Sequence, residues 1–168
     1  MTLLRTLATA TLLSILPATV WSATATIIPG QDNTISGTLP DNSSGACDSI
    51  FSGTTDEDVI LPLVPYRRAL LQFDIAEAIP PGSTINSVTL GMTVTRGDNH
   101  ADSIYTLHRV SMAWGEGANT CGPKGGGQGE PAVAGAATWN SAMHDQAPAW
   151  GTPGGDYFAT ASGSTLVN

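Results

Sequence analysis

The sequence predicts an all-β domain, and three observations carry that prediction. Glycine and proline supply 19 and 11 of the 168 residues, about 18% of the chain against a usual ~12%. Charged residues are only 12%, and lysine occurs once, at Lys124, so the chain lacks the Glu, Lys, Gln and Arg from which exposed helices are built. Apolar residues alternate with Thr and Gly through INSVTLGMTVT, residues 85–95, the period of a half-buried strand. A hydrophobic fraction of 41% supports a core, and the length suits one domain. A formal net charge of -8 excludes a strongly basic nucleic-acid binder.

The first residues read as a leader. Arg5 gives a basic start, LATATLLSILPATVW (7–21) is apolar and uncharged, and small residues follow. That is the layout of a signal peptide over residues 1–22, with cleavage after Ser22 or alternatively after Ala25. The run is short for a bilayer and Pro17 interrupts it, so no membrane span is expected once the leader is removed. Loss of Arg5 leaves five basic and fourteen acidic residues, and an anionic partner would need a local Arg cluster or a divalent cation. Secretion also places Cys47 and Cys121, the only cysteines, in an oxidising compartment. Their spacing fits no zinc or thioredoxin-like motif, so one disulfide is expected, with two free thiols as the alternative.

Along residues 23–168, read as a single domain, ATATII (23–28) is a first strand ended by Pro29-Gly30. Short strands at 34–36 and 50–52 flank the loop DNSSGAC, and 56–65 is a loop or edge. RRALLQFDIAEAI (67–79) is ambiguous: its Ala, Leu, Gln and Glu favour helix, while Ala69, Leu71, Phe73 and Ile75 alternate as one strand face. Pro80-Pro81-Gly82 stops it. Residues 85–95 give the clearest strand, with Val88, Leu90, Met92 and Val94 on one face. SIYTLHRV (103–110) is its antiparallel partner across a turn at 96–99, and the Gly-rich stretch 121–136 is a long loop. No internal repeat occurs. A sandwich of two antiparallel sheets suits this list.

RRALLQFDIAEAIPPGSTINSVTLGMTVT, YTLHRV, WGEG (114–117), ATWN (137–140) and WGTPGGDYFATAS (150–162) follow one another in an order that resembles the DNRLRE domain of secreted and surface proteins, over roughly residues 26–165. The resemblance implies a jelly-roll-like β-sandwich related to carbohydrate-binding modules, some relatives of which bind acidic polysaccharides such as alginate. It also implies that 69–75 is a strand with Phe73 inside. Members of that family continue past the TPGGD region through further strands, whereas this chain stops at TASGSTLVN. The expectation is a fragment lacking the last strands of its sandwich, with an open edge.

The resulting functional expectation is a secreted, non-catalytic module that binds polysaccharide, an acidic one being the first choice. A structural or adhesive surface module, or a fragment without independent function, is the alternative. Sugar rings present C–H faces to aromatic rings, and Trp150 and Tyr157 are the candidate contacts. In the pattern of the family that the chain resembles, Trp114 and Trp139 begin or end strands and are core or sheet-rim residues. Glu116 in WGEG reads as a turn carboxylate, because no motif supplies the second titrating group that a glycosidase or lyase needs. No GxSxG elbow occurs, and His100, His108 and His144 have no metal-ligand spacing. No cofactor is required. Calcium is the ion that acidic turns could take, at Asp98-Asn99 with Asp102, at Asp56-Glu57-Asp58, or at Asp32-Asn33, though none fits an EF-hand and such turns are ordinarily just solvated. Arg67 and Arg68, the only adjacent basic pair, could fork onto a uronate carboxylate or pair with nearby acids.

Overall fold

A computed structural model describes residues 23–55, 63–96, 102–123 and 125–167. The leader, Asp56-Glu57-Asp58, Asp98-Asn99, His100 and Lys124 lie outside the described residues. The chain is strand-rich with almost no helix. In order, the elements are β1 (Gln31–Ser36), β2 (Asn42–Ser43), β3 (Gly53–Thr54), β4 (Tyr66–Gln72), α1 (Ile75–Ala78), β5 (Ser103–Leu107), β6 (Glu130–Pro131) and β7 (Gly163–Val167). They form three small antiparallel sheets: β1-β4-β3, β2-β6 and β5-β7.

The ambiguous segment resolves into both of its readings, one after the other. β4 pairs with β1 from Arg67 opposite Ser36 to Gln72 opposite Gln31. The Asp74 carboxylate then accepts from Glu77 N at 3.1 Å and caps the single turn of α1. The strand therefore ends before Phe73, which is only half-buried, and Ile75 is exposed. The buried face also differs from the one expected: Leu70 is buried while its neighbours Ala69 and Leu71 are only half-buried.

Three other strands fall elsewhere. Residues 23–28 form no strand, and the first begins at Gln31; the short strand expected at 50–52 lies at β3 instead. Residues 85–95 belong to no sheet, and every residue from 80 to 96 is exposed. Alternation is a local property, whereas a strand is completed only by a partner's backbone. The partner expected for this segment, β5, pairs with β7 instead, from Ser103 opposite Val167 to Leu107 opposite Gly163.

The core lies between the β1-β4 sheet and irregular chain from 110 to 156. Ile35 and Leu70 meet Trp114, Ala137, Trp139, Ala142 and Trp150, with Val64, Val110 and Met112 packed at its margin. So little regular structure leaves many backbone groups for side chains to satisfy. Asn33, fully buried, takes the largest share. Its Nδ2 donates to Ser43 Oγ (2.9 Å), Glu116 O (2.9 Å) and Ala137 O (3.1 Å), and its Oδ1 accepts from Ser44 N at 3.0 Å. Thr138 Oγ1 similarly accepts from Asn140 N and Ser141 N, and Ser44 Oγ donates to Thr34 O.

Cys47 and Cys121 are joined by a disulfide. It closes the loop after β2 onto the Gly-rich segment, where Ala46 N donates to Asn119 O and β6 pairs with β2. The long loop is thus tied at its base.

Two stability outcomes follow. Asn33→Ala strands Ser44 N and the buried Ala137 carbonyl and should cost about 2–4 kcal/mol in urea unfolding. Reducing the disulfide frees a loop of 74 residues' separation and should lower stability by about 2–4 kcal/mol, read as a fall in the urea midpoint with dithiothreitol.

Candidate functional site

The site grows from Arg68 on β4. Its position opposite Ile35 aims the side chain to the core side of the sheet, where a cation must find compensation. It does so against rings and a carbonyl. The guanidinium carbon lies 5.0 Å from the Trp139 ring centroid and 5.2 Å from that of Tyr157, and Nη1 donates to Gly154 O. Both ring faces offer negative potential to the cation. Gly154 has φ 93°, and a Cβ there would stand 2.8 Å from both Arg68 Nη1 and the Trp139 ring, so only glycine admits this approach.

The loop that brings Gly154 and Tyr157 to Arg68 is closed by Asp156. Its carboxylate accepts from Gly151 N at 2.6 Å and Thr152 N at 3.0 Å. Its carbonyl accepts from Ser111 N at 3.0 Å and Ser111 Oγ at 3.1 Å. Around this loop is a hollow of about 360 Å³, lined by Arg68, Ser111, Thr152, Pro153, Gly155, Asp156, Tyr157 and Ala159. Tyr157 is 45% exposed and forms a wall. His108 stands edge-on to it at 5.1 Å, fixed by Phe158 O and Thr106 Oγ1. Beside them, Arg109 covers the ring of Phe158 at 4.0 Å. The hollow thus offers a cation, hydroxyls and one aromatic ring, a set suited to a polar ligand with an apolar face.

The two sugar-contact candidates part company here. Tyr157 stands at the hollow, whereas Trp150 is buried, its Nε1 donating to Thr138 O at 2.9 Å. Gly155, which lines the hollow, lies against the Trp150 ring. Trp150 therefore supports the loop from beneath. Trp114 and Trp139 are buried too, and Trp139 meets the site through Arg68. Of the adjacent arginines, Arg68 reaches the hollow, held by rings and a carbonyl. Sequence reasoning passed over Ser111, Thr152 and the aromatic seat of Arg68, since these come together only through the Val110–Tyr157 bridge.

Glu116 Oε1 accepts from the main-chain N of Asp32 at 2.9 Å. Burial, and then the Glu116 charge, push the Asp32 carboxyl above its ordinary value of 3.8. Neither residue lines the hollow, and Glu116 is engaged in fixing β1 to WGEG. Of the calcium candidates, Asn33 has its side chain committed to the protein, and Asp102 is exposed. Among the described residues no three His, Cys, Asp or Glu side chains gather as a metal would require, and no helix is long and apolar enough to cross a membrane. His144 lies 3.5 Å from the Asp145 carboxylate.

No family model, curated protein or solved structure matches the chain.

Because the folded-state value of Asp32 is raised, its ionised form opposes folding at neutral pH, and the penalty fades as pH falls through that raised value toward 3.8. Asp32→Asn should therefore raise the melting temperature at pH 7 by about 1–2 °C. The gain should vanish below pH 3.8, which thermal melts across pH 3–8 would show.

Proposed function

We propose that the protein is a secreted, non-catalytic β-sandwich module of the DNRLRE type that binds polysaccharide, with Tyr157 as the stacking surface and Arg68, Ser111 and Thr152 as polar contacts. The observation that carries the reading is the hollow itself. A half-exposed aromatic ring stands beside a guanidinium held in place by two rings and Gly154 O. A pyranose has this same division, with C–H faces for a ring and hydroxyls for fixed donors and acceptors. A preformed cation loses little side-chain freedom on binding, and an Arg fork suits a uronate carboxylate, so acidic polysaccharide is the first ligand to try. Trp150 contributes by holding the loop. The disulfide suits an oxidising compartment and supports secretion.

The second reading, a surface module that associates with protein, is favoured by one feature outside the hollow: the exposed apolar residues of segment 85–95.

Titration calorimetry with alginate and with a neutral glucan tests the first reading. Saturable binding is expected, and Tyr157→Ala should weaken it about tenfold, equivalent to ~1.4 kcal/mol, while a cooperative melt shows that the variant is still folded. Absence of binding to either glycan overturns the reading, and release of shortened product would speak for an enzyme.

A further inference from the structure

Segment 85–95 is an apolar-alternating stretch that no sheet has taken up. Val88 is 84% exposed, Leu90 39%, Met92 59% and Val94 60%. The segment lies in neither helix nor turn, and residues 84–95 make no backbone hydrogen bond to any other described residue. Its amides and carbonyls are thus open to a pairing strand.

Three observations say what that strand is. The sequence Val88-Thr89-Leu90-Gly91-Met92-Thr93-Val94 is nearly the same read in either direction. Two copies laid antiparallel about Gly91 place Val88 opposite Val94, Leu90 opposite Met92, Thr89 opposite Thr93, and Gly91 opposite itself. One face of the pair is then wholly apolar and the other is Thr and Gly, with Thr–Thr pairs of the kind that stabilise adjacent strands. Such matching is what a two-fold contact between identical surfaces demands. The second observation is charge. From Ala78 to Thr95 the chain has no charged side chain, within a protein of net charge -8, so two copies meet here with the least repulsion. The third is the open backbone. Residues 84–95 make no backbone hydrogen bond to any other described residue, which is what an edge-to-edge pair requires of both copies.

We propose that residues 87–95 pair with the same residues of a second copy, forming a two-fold antiparallel β-ribbon centred on Gly91. This surface is separate from the Arg68 hollow and needs no sugar. A two-stranded ribbon with no layer over its apolar face is marginally stable, which makes the dimer weak and concentration-dependent.

Sedimentation of the disulfide-bonded protein over a range of concentrations, without glycan, should show a monomer–dimer equilibrium. Leu90→Lys should abolish the dimer and leave the melting temperature unchanged, since the side chain is exposed. Register is read by cross-linking on the purified, disulfide-intact protein. A Cβ at Gly91 meets open space, and directly opposed residues stand about 4.5–5.5 Å apart at Cα, within disulfide reach. Gly91→Cys should therefore form a covalent dimer on mild oxidation. Thr89→Cys should not do so alone, but should cross-link when mixed with Thr93→Cys. A protein that stays monomeric, a dimer that survives Leu90→Lys, or equal cross-linking from Thr89→Cys alone would overturn the proposal. Tyr157→Ala should leave dimerisation intact, so the fate of the sugar reading is decided separately.

Discussion

The carboxamide of Asn33 holds four parts of the chain at once. β1 carries it, and its hydrogen bonds run to Ser43 and Ser44 after the first loop, to Glu116 in WGEG and to Ala137 in ATWN. No helix or long sheet spans these segments, so their backbone groups depend on buried side chains for partners. Around this point the core assembles, because fixing residues 116 and 137 also fixes their neighbours Trp114 and Trp139 against Ile35 and Leu70. The disulfide acts at the next loop along, closing 47 onto 121. Polar satisfaction and apolar packing are the same event here, and neither would hold the irregular half of the molecule alone.

The hollow inherits its order from that core. Trp139 packs inward with one part of its ring and receives the Arg68 guanidinium with another. Gly154 N donates to Trp139 O while Gly154 O accepts from Arg68, so loop 150–157 is seated on the core before any ligand arrives. Asp156 then spends its carboxylate on the loop's own amides. The result is a rigid backing with an exposed rim at Tyr157, which is why the proposed contact and the residue that supports it, Trp150, play different parts although the sequence presents them alike.

Segment 85–95 shows the opposite condition. Its pattern is the cleanest in the chain, yet it stands outside every sheet, because a pleated strand gains its hydrogen bonds only from a neighbour. β5 finds that neighbour in β7. What remains at 85–95 is an uncharged, symmetric, apolar-faced strip, and the physics that would have put it into a sheet now favours a strand from outside.

The sequence by itself determined the composition-driven facts: a β-rich chain and a disulfide between Cys47 and Cys121. These follow from local periodicity, from turn residues and from having only two cysteines. Of the two rings offered as sugar contacts, Tyr157 stands at the hollow and Trp150 is buried, because a Trp in a Gly-rich loop reads the same whether it faces in or out. Tertiary structure alone decided which face of β4 is buried, where the strand yields to α1, and which strand pairs with β5. It alone brought Ser111, Thr152 and Arg68 to one hollow. Each of these depends on groups far apart in the chain, and no pattern in one segment records which distant backbone or ring will complete it.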